Sequence, residues 1–350
     1  MTLHLSRMKL VSVVAGIVAI TMLGGKAYSK IGSGPDSVPN PYGPAEAFGQ
    51  LPEGRTWGST SAINLDSQGH VWVGERCGKN SCAGSTLDSI LEFDFSGKLL
   101  KSFGAGLFVM PHAIHFDNSG NLWVTDYEAR DGKGSQAIKF TPDGKILMTL
   151  GKAGVSGDGP DTFGEPNDVV EGANGDLFVA DGHTPHKGSA RIVKFTKDGK
   201  FIKQWGGLGS EPGQFDVPHA LAFDSQGRLF VADRANKRIQ IFDQEGKFLA
   251  QWRQFGSPSG IFIDRNDVIY VCDSQSEPTD ATADRYNPGF EHGVRIGNAK
   301  DGKITAYIPM PPPANKHNGP EGIAADAMGN VYIAETILKG VWKYVKEQGQ

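Results

Sequence analysis

One ten-residue pattern returns six times along the chain, and it restricts the fold more than any other feature. It runs from an acid or its equivalent through a glycine-containing turn into an apolar triplet and a closing acid. The copies are DSQGHVWVGE ending at Glu75, DNSGNLWVTD at Asp126, GANGDLFVAD at Asp181, DSQGRLFVAD at Asp233, DRNDVIYVCD at Asp273 and DAMGNVYIAE at Glu335. The closing acids are spaced 51, 55, 52, 40 and 62 residues apart, the period of propeller blades. After most of them a third β-rich run follows (SILEF, QAIKF, RIVKF, RIQIF, GVWKY), then a DxxGK or TxDGK turn and a fourth run such as FIKQWG. Each unit is four short strands joined by Gly/Asp turns, so the fold class is all-β, a six-bladed β-propeller with four-stranded blades around a central channel. A sandwich would show similar strands without the long period.

Composition agrees. The 350 residues include 47 glycines and 20 prolines, as a turn-rich chain requires, and 39% hydrophobic residues exclude disorder. A net charge of -4 leaves no basic footprint for nucleic acid. The propeller is expected over residues 45–348. The last repeat, GVWKYV, lacks a following strand, so ring closure is expected from the segment before Ser61, around Phe48 to Trp57.

The N-terminus reads as an address. Arg7 and Lys9 precede the uncharged run Leu10 to Leu23, and Ala27 and Ser29 are spaced as a cleavage site. That run is shorter than the ~20 residues of a membrane span. Residues 1–29 are therefore read as a signal peptide and 30–44 as a flexible lead-in. The alternative is a retained anchor. The expectation is a secreted or periplasmic protein, monomeric, with no stable membrane span after cleavage. Cys77 and Cys82 lie in the loop CGKNSC, where an oxidising compartment favours a disulfide. Cys272, inside VIYVCD, is read as a buried small hydrophobe.

The repeat phase also locates a ring of side chains. Fourteen residues before each closing acid stand Ser61, His112, Asn167, His219, Ser259 and Glu321, at the start of each innermost strand and so at one channel mouth. Blades two, four and six contribute His112, His219 and Glu321. Two imidazoles and a carboxylate converging on the axis suit a catalytic metal, Zn2+ first and Fe2+ second. The alternative is a set of hydrogen-bonded channel polar groups. His115, three after His112, is assigned by strand alternation to the opposite face, as a buried or capping histidine.

A second ring follows the closing acids: Arg76, Tyr127, Gly182 with His183, Arg234, Ser274 and Thr336. Arg76 and Arg234 offer forked donors to a carboxylate beside the metal; Arg234 has Asp233 or Asp126 as alternative partners. His183 is read as a general acid or base, with His186 as an understudy and a solvated loop histidine as the alternative.

The segments MPHAIHFDNSGNLWVTD, GEPNDVVEGANGDLFVADGH, GSARIVKFTKDGKFIKQWG and GQFDVPHALAFDSQGRLFVADRANKRIQIF resemble the peptidyl-α-hydroxyglycine α-amidating lyase family, a branch of the NHL-repeat propellers. The likeness covers roughly residues 60 to 345. It implies a zinc held by inner-strand histidines at His112 and His219, with Glu321 at the place of the family's third histidine. It implies substrate-holding arginines at Arg76 and Arg234. The family's catalytic tyrosine falls on His183, and its calcium-binding acid falls on Gly322, which puts a structural Ca2+ in question.

The resemblance implies a carbon–nitrogen lyase that collapses a small or peptide-derived α-hydroxyglycine amide bearing a carboxylate into an amide and glyoxylate. The same parts also suit water attack on a lactone or ester. A lactonase of this outline prefers an all-oxygen calcium site, against which the two ring histidines stand. A non-catalytic NHL-repeat binding protein is the third reading.

Overall fold

Each repeat folds into one antiparallel sheet of four strands, because its β-branched and aromatic runs are short and every gap between them holds a turn former. The structure, a computed structural model, describes residues 36–277, 286–310 and 319–347. The expected signal peptide lies outside the described residues. Six four-stranded sheets stand in sequence order, five of them built from consecutive strands. The sixth takes its outer strand from the other end of the chain, with Glu46–Phe48 pairing antiparallel with Val341–Tyr344. Ring closure thus comes from the segment before Ser61, a few residues upstream of where it was expected. Among the described residues there is no helix long and apolar enough to cross a membrane.

The recurrent acids have different structural jobs. The acid opening each hairpin is a turn cap: one Asp66 carboxylate oxygen accepts the N–H groups of Gln68 and His70, and Asp117, Asp224, Asp264 and Asp326 do the same in their blades. The closing acids are buried and reach across to the loop that feeds the inner strand. Asp126 accepts from the Val109 and Met110 amides, Asp181 from Gly164 and Glu165, and Glu335 from Gly319. They fix the channel-mouth loops on which the second ring sits.

The core lies between neighbouring blades. Six clusters of buried apolar side chains fill the six seams, Ala62, Trp72 and Ile90 meeting Ile114, Leu122 and Val124 at the first. Each such fully buried side chain contributes about 1.5–3 kcal/mol. Residues 36–44, expected as a flexible lead-in, are tied down instead. The Asp36 carboxylate pairs with Arg295 at 2.7 Å, and Tyr42 is buried against the last two blades. Burial pushes the Asp36 carboxyl up, and the Arg295 guanidinium opposes that.

Candidate functional site

Every inner strand breaks register where its ring residue sits. The pairing skips Ser61, Asn167, Ser259 and Glu321 singly, and it skips His112 with Ala113 and His219 with Ala220. A bulge leaves a residue unpaired and re-aims its side chain. Each break is a net shift of one residue; Ser61, His112, His219, Ser259 and Glu321 line the channel, whereas the Asn167 side chain donates to the Gly182 and Pro218 carbonyls at 2.8 and 2.9 Å. Side-chain oxygens take two amides beside these histidines: Ala113 N–H donates to Thr125 Oγ1 at 3.0 Å and Leu221 N–H to Asp168 Oδ2 at 2.8 Å.

The two histidines are held alike, each by the following blade. His112 Nδ1 donates to the Asn167 carbonyl at 2.8 Å, and His219 Nδ1 donates to the Ser259 carbonyl at 2.7 Å. A carbonyl only accepts, so Nδ1 carries the proton and each Nε2 presents a lone pair. Both Nε2 atoms are buried and have no hydrogen-bond partner among the described residues. Burial holds the His112 imidazole down at about 4 and His219 well below its ordinary value, so both rings are neutral at pH 7. A buried, neutral imidazole with one nitrogen anchored and the other aimed into a cavity is the donor a metal requires.

Glu321 faces the same space. One carboxylate oxygen is 3.9 Å from His112 Nε2 and the other 4.0 Å from His219 Nε2. Its ion pair is with Arg234, at 3.2 Å. Of the two acids that sequence offered to Arg234, Asp233 bonds Arg238 at 2.7 Å and Asp126 accepts backbone amides.

Arg76 reaches the site from the loop closed by the Cys77–Cys82 disulfide. Asn80 of that loop accepts from Arg76 Nη1 at 2.9 Å, and Nη2 donates to Ser61 Oγ at 3.3 Å. Arg76 Nε is buried with no hydrogen-bond partner among the described residues. Cys272 is buried and reduced, as its apolar setting suggests. His183 approaches from blade three, at the turn that Gly182 makes: a Cβ on Gly182 would stand 1.9 Å from the Ser189 carbonyl oxygen. The ligand nitrogens of His112, His183 and His219 all lie within 4.8 Å of one another. His186 is elsewhere, largely exposed and paired with Asp216 at 2.6 Å.

Sequence reasoning placed Tyr127 in the second ring and gave it no role. In the structure its ring stacks on His183 with centroids 4.3 Å apart and planes 10° apart, and its face lies 5.7 Å from the Arg76 guanidinium carbon. Burial raises the Tyr127 phenol above its ordinary value, with Arg76 opposing. Its position immediately after a closing acid, beside a ring histidine, was the available signal.

The ring caps a channel of about 320 Å3 that runs between the inner strands. His115 lines this channel together with His112. The one-residue register shift between Pro111 and Ile114 voids the alternation that had put them on opposite faces. Burial lowers His115 to about 4. At Gly322 a Cβ would stand 2.1 Å from the Ser61 carbonyl oxygen, so no acidic side chain fits there, and a calcium site of the kind the resemblance implies does not fit these residues.

Fold and repeat first define a class. The NHL-repeat family matches residues 215–242, and the chain is a six-bladed NHL-repeat β-propeller whose homologues include peptidyl-α-hydroxyglycine α-amidating lyases. More particularly, it is 31% identical over 327 residues to a mouse peptidyl-glycine alpha-amidating monooxygenase, covering 82% of this chain and 30% of that protein. It is 36% identical over 155 residues to Drosophila melanogaster peptidyl-alpha-hydroxyglycine alpha-amidating lyase 1, covering 41% of this chain and 27% of that one. The chain thus spans under a third of the length of either relative. A solved gluconolactonase from Xanthomonas campestris superposes with a TM-score of 0.56 at 14% identity, over 87% of this chain and 98% of that one, which speaks for the fold alone.

Proposed function

We propose that the protein is an exported, metal-dependent lyase that cleaves the N–C bond of a carboxylate-bearing α-hydroxyglycine amide, releasing the amide and glyoxylate. One observation carries this reading: the paired Nε2 atoms of His112 and His219, buried, neutral and without partners, aimed into a cavity flanked by Arg76 and Arg234. The lyase-named homologues support the reaction class. The Cys77–Cys82 disulfide supports export.

His112 and His219 would hold a zinc ion, with His183 and Glu321 close enough to divide the remaining work, one completing the ligand set and the other accepting a proton. When bound, the metal supplies the positive charge that acidifies a hydroxyl. Arg76 orients the substrate carboxylate through its forked donors. The accepting residue takes the hydroxyl proton, the C–O bond becomes the aldehyde carbonyl as the C–N electron pair leaves, and the same proton returns to the amide nitrogen. Atoms and charge balance without water or an oxidant.

The test is to incubate zinc-loaded protein with an N-acyl-α-hydroxyglycine and follow glyoxylate. Release well above that of the His112→Ala variant is expected. Hydrolysis of a lactone panel with no glyoxylate release would move the assignment to a hydrolase.

A further inference from the structure

We propose that His183, rather than Glu321, completes the ligand set with His112 and His219, and that Tyr127 is the positioning residue that holds its ring in place. This rests on the metal-dependent reading above and divides the work that reading leaves open. The donors then come from three consecutive blades, two, three and four, instead of three alternate ones.

Three observations point this way. First, the three imidazoles already form a cluster, with ring centroids 4.7, 5.2 and 5.4 Å apart and their ligand atoms within 4.8 Å. Tetrahedral zinc–nitrogen bonds of about 2.0–2.1 Å require separations of roughly 3.3–3.4 Å, so closure is a matter of side-chain adjustment.

Second, His183 is fixed at both ends. Its backbone N–H donates to the Glu165 carboxylate at 2.9 Å, beside two further bonds from Thr184 to the same carboxylate at 2.6 and 2.7 Å. Its ring lies flat on Tyr127, and the edge of His112 packs against both members of that stack, at 5.4 Å from Tyr127 and 5.2 Å from His183. The stack removes the ring-flip freedom that a loop histidine otherwise keeps, which is the function of an outer-shell support.

Third, Glu321 is committed elsewhere. Arg234 is buried, and its 3.2 Å pairing is with the Glu321 carboxylate. Entering the ligand set would set a metal against Arg234 for the same carboxylate. At 3.9 and 4.0 Å from the two histidines, the carboxylate straddles the site without bonding either.

The experiment reads metal rather than turnover. Zinc stoichiometry by elemental analysis, zinc affinity by chelator competition and the visible spectrum of the Co2+-loaded protein are measured for the wild type and four variants. Circular dichroism verifies that each is folded. His183→Ala is expected to lose zinc affinity by at least 10²-fold and to change the Co2+ spectrum. Glu321→Gln is expected to stay within about threefold of wild type with the Co2+ spectrum retained, since its loss removes no donor. Tyr127→Ala is expected to weaken binding by about 10–100-fold, the range for an outer-shell support. Tyr127→Phe, which keeps the stacking face, is expected to restore wild-type affinity.

Loss of zinc in Glu321→Gln with retention in His183→Ala overturns the inference while leaving the metal reading intact. Failure of the wild type to take up zinc or cobalt overturns both. Equal losses in Tyr127→Phe and Tyr127→Ala refute the stacking role and point to the hydroxyl.

Discussion

Blades two and four present their ring residue by one design, and blade six by another. His112 and His219 each sit at a one-residue bulge, each donate Nδ1 to the next blade's ring carbonyl, and each leave a buried Nε2 with no hydrogen-bond partner among the described residues. Glu321 sits at a bulge with the same one-residue shift and is held by a side chain, Arg234, instead of a backbone carbonyl. The next-level residue in blade six is a glycine pressed against the Ser61 carbonyl. Three alternate blades share a phase without sharing a task. The histidines are built to hold one position with a lone pair exposed, and the carboxylate is built around a cation.

The largest effect that separates the two designs is metal retention. His219→Ala or His112→Ala removes an anchored donor, and zinc affinity should fall by more than the about 10–100-fold typical of losing an outer-shell partner. Elemental analysis after dialysis checks it. Metal retained at wild-type stoichiometry in both variants would erase the distinction between blades.

The next effect concerns Asp168, which accepts the amide of Leu221, two residues past His219. Burial pushes Asp168 up to about 7, against the Leu221 and Val169 amides that favour its anion. A raised folded-state value means that the fold prefers the protonated acid. Its contribution is fully present below about pH 4 and is lost as pH rises through about 7. Asp168→Asn cannot ionise, so it should gain on wild type between pH 4 and pH 8, by up to about 4 kcal/mol if the whole shift is realised. One amide loses its acceptor at every pH, at about 1 kcal/mol, so the slope is diagnostic and the offset is not. Urea unfolding at the two pH values measures it; parallel curves would show that Asp168 is ionised in the fold throughout.

Smaller again is Arg76→Ala. Arg76 is set by the disulfide loop through Asn80 and packs on Tyr127, outside both ring designs. Losing a charge-assisted hydrogen bond to the substrate carboxylate should lower kcat/KM by roughly 1.5–3 kcal/mol and leave zinc content unchanged. An equal loss on a substrate amidated at that carboxylate would show that Arg76 does not contact it.

The repeat made the fold legible because a phase of fourteen residues between Ser61 and Glu75, or His219 and Asp233, is a local property of a two-strand hairpin. The same phase placed six residues on one ring, and CGKNSC contained its own disulfide. What could not be read were the features set by register and by loops. Nothing in PHAIHF announces a one-residue bulge, so His115 was put on the wrong face. Arg234 had acids at Asp233 and Asp126 as partners in sequence terms, yet it bonds Glu321, 87 residues away in blade six. His183 and Tyr127 come from loops of neighbouring blades, and only the closed ring stacks them.

The smallest effect tests whether propping the His112 bulge matters to the ring at all. Thr125 is fully buried, and its hydroxyl accepts the Ala113 amide at 3.0 Å while donating to the Asn167 carbonyl at 2.8 Å. That carbonyl is the one that holds His112 Nδ1. Thr125→Val keeps shape and volume and removes both bonds, leaving a partly buried amide without its acceptor, at about 1 kcal/mol of stability. If the bulge is what aims His112, zinc affinity should fall as well, by a few-fold. The corresponding change at the other end of the ring, Ser274→Ala beside Ser259 at 2.5 Å, touches no bulge amide and should leave zinc affinity unaltered. Chelator competition on the two variants decides it. Equal affinities would mean that the Asn167 carbonyl orients His112 unaided, and that the bonds of Thr125 are a consequence of the histidine's placement rather than its cause.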